Sequence, residues 1–190
     1  MIEYEKKIML SLWEYLRLLN QSSKHKQFTQ INYYYDTADL KLHEQGITCR
    51  IREKNGVYTA TKKIHNYAGA DGSKEISVIV HDENDSSVFD IPDLILYGKM
   101  KTQRTIIYED SYIEVALDAN TYLGYTDYEL EIERINDSQQ QTEQMLWQLA
   151  HTLYGKDNIF IVNSFFDKIN ADKNKSGRFF ERIKAQKMLE

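Results

Sequence analysis

The chain has 190 residues, of which 42% are apolar and 28% charged, with a formal net charge of −5. That length suits one domain over residues 1–190 with its own core, and the absence of a long apolar run or a leader pattern places the expected protein in the cytoplasm, away from membranes. A single cysteine, Cys49, excludes an internal disulfide framework and a multi-cysteine metal site, and the acidic balance argues against generic nucleic-acid binding while leaving room for a concentrated basic site.

The first predicted element is a strand, IEYEKKI at residues 2–8. Glu3, Glu5 and Lys7 share one face, and Ile2, Tyr4 and Ile8 occupy the other. Ser11 with Glu14 three residues on is a capping-box pattern. Leu12, Tyr15, Leu16 and Leu19 then follow at helical spacing, which predicts a helix from residue 11 to about residue 21. QINYYYDT and ITCRIREKNG read as strands. The second ends on the Asn55–Gly56 turn signal, beyond which VYTATKK returns as a hairpin partner.

NYAGADGSK is a loop by composition, EISVIV a strand and HDENDSS a second polar loop. PDLILYGKM is predicted as a short helix with Pro92 in its first turn. Three further strands follow in QRTIIYED, SYIEVALDAN and DYELEIERI. Asp137 or Ser138 then caps a helix whose stripe is Met145, Leu146, Leu149 and Leu153, ended by Gly155, and RFFERIKAQKML forms the last helix. The sum is about eight strands and four helices, without a solenoid repeat or a dividing linker.

The alternation of the first strand recurs. Arg50 and Arg52 share one face with Ile51 opposite; Glu129, Glu131 and Glu133 share one face with Tyr128, Leu130 and Ile132 opposite. Half-buried antiparallel strands produce such patterns routinely. Here, however, the charges are grouped by sign, strand by strand. Like charges on one face repel, so the grouping calls for counterions. Paired carboxylates suit Mg²⁺ or Mn²⁺, which take oxygen ligands, and paired guanidinium groups suit phosphate. A sheet closed into a barrel with these faces inward would hold both in one wet cavity, with amphipathic helices covering its apolar exterior.

These residues resemble the CYTH domain family, also called the triphosphate tunnel metalloenzymes. The marks are the E-x-E-x-K strand at Glu3, Glu5 and Lys7, YYDT at Tyr34 to Thr37, Arg50 and Arg52, then Lys62 and Glu75. Lys101, Arg104, Asp118 and the late E-x-E strand complete the series. The resemblance implies a closed antiparallel eight-stranded β-barrel, or tunnel, of the α+β class, with a charged interior and helices outside. It also implies hydrolysis or rearrangement of a triphosphate.

By that resemblance Glu3, Glu5, Glu129 and Glu131 hold the metal with help from Asp118 and Glu133, the choice within Glu129, Glu131 and Glu133 staying open. Lys7, Arg50, Arg52, Lys62, Lys101, Arg104 and Lys175 grip phosphate. Lys173, Lys175 and Arg178, in a basic terminal segment, are candidates for closing one mouth, against the plainer reading of a solvated helix end. Ser77 stands where many members carry a carboxylate, which weakens the Glu75 strand as a ligand source.

Tyr34 and Lys62 are the candidate catalytic bases, Lys62 because a lysine among cations loses its proton more easily. Core packing is the competing reading for Tyr34. The histidines form no metal-ligand spacing and read as surface or loop residues, and Trp13 and Trp147 read as core-facing. The leading expectation is a divalent-metal-dependent hydrolase of inorganic triphosphate or a small organic triphosphate such as thiamine triphosphate. The alternatives are an adenylate cyclase and a non-catalytic sensor of polyphosphate or nucleotide. The oligomeric state stays open, a homodimer included.

Overall fold

A computed structural model of the protein describes residues 2–22, 26–67, 72–135 and 138–188. Eight antiparallel strands form a closed barrel: β1 (Ile2–Leu10), β2 (Lys26–Asp36), β3 (Ile47–Lys54), β4 (Val57–Ile64), β5 (Gly72–Val80), β6 (Ile95–Glu109), β7 (Ile113–Tyr122) and β8 (Tyr125–Arg134). Around the wall the order is β1-β5-β4-β3-β2-β6-β7-β8. The β3–β4 hairpin turns at Asn55–Gly56 and pairs Lys54 with Val57, as a two-residue loop requires. The seam between β1 and β5 is short, running from Ile2↔Lys74 to Tyr4↔Gly72.

Among the described residues five α-helices accompany the barrel: α1 (Leu12–Gln21), α2 (Lys41–Glu44), α3 (Gln139–Tyr154), α4 (Ile159–Asp167) and α5 (Lys175–Lys187). The α1 capping box forms as expected, with Ser11 and Glu14 exchanging hydrogen bonds. Ser138 precedes α3, but its hydroxyl donates to the Tyr112 carbonyl instead of capping the helix. Asp137 and His25 lie outside the described residues.

The apolar sides of β1, β7 and β8 face outward, which inverts the usual small barrel. Ile8, Val115, Leu117, Leu130 and Ile132 are buried beneath Leu18, Leu146, Leu149, Leu153 and Phe165 of α1, α3 and α4. A second outer cluster covers β3 and β4 with Leu42 and Phe89, and buries Cys49 fully. Removing this apolar area from water is worth about 25 cal/mol per Å². The exterior is therefore where the barrel gains its stability.

The structure corrects the expected helix over PDLILYGKM. After a turn at Pro92–Asp93, Ile95 begins the 15-residue β6, and Ile95 and Leu96 pair with Asp36 and Tyr35. A local proline signal loses here to long-range pairing, supported by the strand-favouring Ile95 and Tyr97. Trp13 and Trp147 are also corrected, being 54% and 45% exposed on the outer sides of α1 and α3. The helix IFIVNSFFD, α4, lacks a clear polar side and carried no helical signal in the sequence reading. Among the described residues no helix is long and apolar enough to cross a membrane.

One barrel mouth is filled by α5. Phe179 and Phe180 pack on Tyr34, Met100 and Tyr122. Gly98 makes this approach possible: its φ is +143°, and a Cβ there would stand 3.3 Å from the Phe179 ring. The chain bulges at the paired position, between Tyr34 and Tyr35.

Candidate functional site

The barrel interior is a polar chamber lined by Glu3, Glu5 and Lys7 of β1, Arg50 and Arg52 of β3, Lys63 of β4, Glu75 of β5, Arg104 of β6, and Glu131 and Glu133 of β8. Strand alternation delivers each side chain inward while its neighbours enter the outer core. On the acidic side, Lys63 Nζ lies 3.1 Å from Glu3, 3.1 Å from Glu5 and 2.9 Å from Glu75. Lys7 Nζ is 2.7 Å from Glu5. Burial works against the ionised form of Glu5, but Lys7 and Lys63 hold its pKa down to about 2 despite the opposing charge of Glu131.

Deeper toward α5, the terminal segment reaches in. Lys175 Nζ lies 2.9 Å from Asp118, 3.0 Å from Glu129 and 2.5 Å from Glu131. Arg178 meets Asp127 at 2.9 Å and Glu129 at 2.7 Å. Arg104 pairs with Asp118 at 2.6 Å and also contacts Glu131. Lys175 and Arg178 thus enter the closed mouth as internal counterions and are not a solvated helix end, whereas Lys173 stays outside, 3.0 Å from Glu181.

The carboxylates of β8 consequently differ. Glu129 and Glu131 are tied to cations, while Glu133 forms no ion pair among the described residues. Burial, then the charges of Glu3, Glu5, Glu114 and Glu131, push the Glu133 pKa up to about 7. Glu3 is also raised, by burial and by Glu75, with Lys63 opposing. The acid cluster at Glu3, Glu5 and Glu133 therefore carries more negative charge than the protein neutralises.

The opposite wall has the converse excess. Arg52 donates from Nε to Asn32 Oδ1 at 3.1 Å and has no carboxylate partner among the described residues. Burial and the charges of Arg50 and Arg104 lower its pKa to about 10. Arg50 has Glu75 at 3.6 Å. A half-buried guanidinium without a carboxylate partner among the described residues, beside two other guanidinium groups, has the chemistry that suits a multiply charged anion.

Several expected site residues fall elsewhere. Lys62 lies on the outer face of β4, opposite Cys49, and Lys63 takes the inward position. Lys101 is exposed on the outside of β6, because the inward Arg104 lies three positions further on and an odd offset changes face. Tyr34 lines the chamber but is only 1% exposed, packed against Phe179, and burial raises its pKa, so it is held as a neutral phenol. Lys63, in the inward position, is held protonated: burial is outweighed by the charges of Glu5, Glu75 and Glu3.

Asp36 does not join Tyr34 in the chamber. Its carboxylate accepts from the backbone N–H groups of Leu42 and His43 and anchors α2. His65, expected at the surface, lines the chamber and hydrogen-bonds Thr48 at 2.9 Å; burial, Lys63 and Lys7 lower its pKa to about 4. His43 packs on Phe180. Glu75, with an inward Ser77 bonded to Thr61, contributes a lone carboxylate from β5.

Lys63, and not Lys62, is the inward lysine of β4, and the sequence carries a signal for it. The Asn55–Gly56 hairpin pairs Arg52 with Thr59 and Arg50 with Thr61, so the next inward residue on β4 is Lys63. Among the described residues no group of three acidic, histidine or cysteine side chains stands arranged as a metal cage, and Lys63 occupies the space between Glu3, Glu5 and Glu75. The donor set nonetheless fits a hard divalent cation. It is all oxygen and overcharged at Glu133, and deeper in the chamber Glu129 Oε1 is buried without a hydrogen-bond partner.

Comparison with known proteins agrees with this geometry. A family model, the CYTH domain, matches residues 1–165. Among solved structures, a Bacillus halodurans protein described as "a putative adenylate cyclase" is 26% identical, with a TM-score of 0.65, covering 94% of this chain and 97% of its own. HpAC1 from Hippeastrum, described as having a dominant triphosphatase activity, is 17% identical with a TM-score of 0.59, covering 86% and 95%. The Mimivirus capping-enzyme triphosphatase is 12% identical with a TM-score of 0.53, covering 85% and 89%. The latter two likenesses are of fold. No curated protein matches the chain.

Proposed function

The chain belongs to the CYTH domain family, and from that premise we propose that it is a divalent-metal-dependent triphosphate phosphohydrolase working inside the barrel. The observation that carries this reading is the pairing of two uncompensated charges across one chamber, the acid cluster around Glu133 and the cation cluster around Arg52. A polyphosphate with its metal neutralises both at once. The triphosphatase activities described for HpAC1 and for the Mimivirus enzyme support the same direction.

In this proposal Glu3, Glu5 and Glu133 would hold Mg²⁺ or Mn²⁺, with Glu131 beside them, while Glu129 and Asp118 position Lys175, Arg104 and, through Glu129, Arg178. Such a cation, when bound, withdraws charge from phosphate oxygens. Arg50, Arg52, Arg104 and Lys7 bind the phosphate chain, orient it along the barrel and stabilise the charge that develops on the leaving group as water attacks the terminal phosphorus. Positioning and charge neutralisation are the main demands of this reaction. The packing of α5 keeps bulk water from the closed end.

The test is phosphate release from tripolyphosphate, thiamine triphosphate and ATP by the purified protein, with Mg²⁺, Mn²⁺ or a chelator, while cyclic AMP is followed in the ATP sample. Metal-dependent phosphate release is expected. Cyclic AMP as the main product would replace the proposal with a cyclase, and triphosphate binding without any product would replace it with a sensor.

A further inference from the structure

We propose that Lys54, seated over Phe28 at the open mouth of the barrel, is a specificity-determining residue that makes the outer end of the chamber favour an unsubstituted terminal phosphate over one that carries an organic group. This rests on the phosphohydrolase reading above and names the substrate class of the same site, an unsubstituted inorganic polyphosphate. Arg50, Arg52 and Lys54 succeed one another on the inner face of β3, so the cationic row continues from the centre of the chamber to its rim. The same outer cavity is lined by Thr59, by the mutually bonded hydroxyls of Thr61 and Ser77, and by Glu75, whose carboxylate is offset by Lys63 at 2.9 Å.

Lys54 Nζ stands 3.7 Å from the centroid of the Phe28 ring and has no carboxylate partner among the described residues. Burial and the neighbouring charges of Arg52 and Arg104 make its proton easier to lose, the mark of a cation placed among cations. The ring holds the ammonium without neutralising it, as a cation–π contact does. That contact has a second effect: it covers the aromatic face nearest the rim. Among the described residues that line the chamber and its outer cavity, the aromatic rings are those of Tyr34, buried at the closed end, and His65, hydrogen-bonded to Thr48, and neither lines the outer cavity beside Lys54. A nucleobase or a thiazolium ring entering behind a triphosphate finds an ammonium in place of an open ring, and a cationic thiazolium is repelled as well.

The experiment compares tripolyphosphate, ATP and thiamine triphosphate on the wild type, Lys54→Met, Lys54→Arg and Phe28→Leu, by initial rates with Mg²⁺ and by calorimetric affinity in parallel. In the wild type kcat/KM for tripolyphosphate should exceed that for either organic substrate. Lys54→Met should lower the tripolyphosphate value about tenfold through KM and leave the organic values within about threefold, so that the preference collapses. Lys54→Arg should restore the preference, and Phe28→Leu should raise KM for tripolyphosphate alone. A uniform loss across substrates, or a preference unchanged in Lys54→Met, overturns the proposal. Absence of turnover in the wild type refutes the hydrolase reading instead; the ratio of calorimetric affinities then decides on Lys54 by the same criterion.

Discussion

The Lys63 ammonium stands 3.1 Å from the Glu5 carboxylate, and also contacts Glu3 and Glu75, so one lysine of β4 gathers acids from β1 and β5 across the barrel's shortest seam. Lys63 thus acts as a fixed counterion in the acid cluster. Removing it as Lys63→Met leaves three carboxylates facing one another and should destabilise the metal-free protein by about 3 kcal/mol. Added Mg²⁺ should recover part of that loss in thermal unfolding. Lys62→Met, on the outer face, should change neither stability nor turnover by more than about twofold in the relevant constant.

Glu133 sets a pH dependence of stability. Its folded pKa of about 7 lies above its ordinary value of 4.5, so between these limits the folded state binds more protons than the unfolded state. Stability contributed by the protonated form is full below about pH 4.5 and is lost as the pH rises toward 7, by about 3 kcal/mol at most. Glu5 acts in the opposite direction only at lower pH, because its pKa is depressed to about 2. Denaturant midpoints of the metal-free protein should fall between pH 5 and pH 7, and Glu133→Gln should flatten that fall. Saturating Mg²⁺ should flatten it too, by favouring the ionised carboxylate.

Gly98 tests the closed mouth. A Gly98→Ala variant meets both a φ of +143° and the Phe179 ring at 3.3 Å, so α5 must shift outward. A loss of about 2 kcal/mol is expected. Faster amide exchange should appear in α5 and around Tyr34, while α1 and α3 keep their protection. Equal protection in α5 would show that the ring tolerates the added methyl group.

Much of this site is legible in the sequence because it is written at a period of two. Glu3, Glu5, Lys7, Arg50, Arg52 and Glu131 are inward by alternation alone, and apolar partners such as Ile8, Ile51 and Leu130 fix the phase. Lys62 and Lys63 are indistinguishable in type, and only the hairpin register separates the outward one from the inward one. Glu129 and Glu133 have the same spacing and the same chemistry, yet one is held by Lys175 and Arg178 and the other is not. That difference comes from a helix more than 40 residues further on, which no local pattern reports. The start of β6 carries a helical signal for a related reason: the partner that makes it a strand, Tyr35, lies far back in the chain.

The central claim is that β1 carries a divalent-cation site that a triphosphate completes. The most direct measurement is calorimetric titration of Mn²⁺ into the wild type and into Glu5→Gln, each with and without tripolyphosphate, with circular dichroism to confirm an intact fold. Wild-type protein should bind Mn²⁺, more tightly when tripolyphosphate is present, and Glu5→Gln should lose at least about tenfold in that affinity. Equal Mn²⁺ binding by a folded Glu5→Gln, or tripolyphosphate binding indifferent to the metal, would contradict the account.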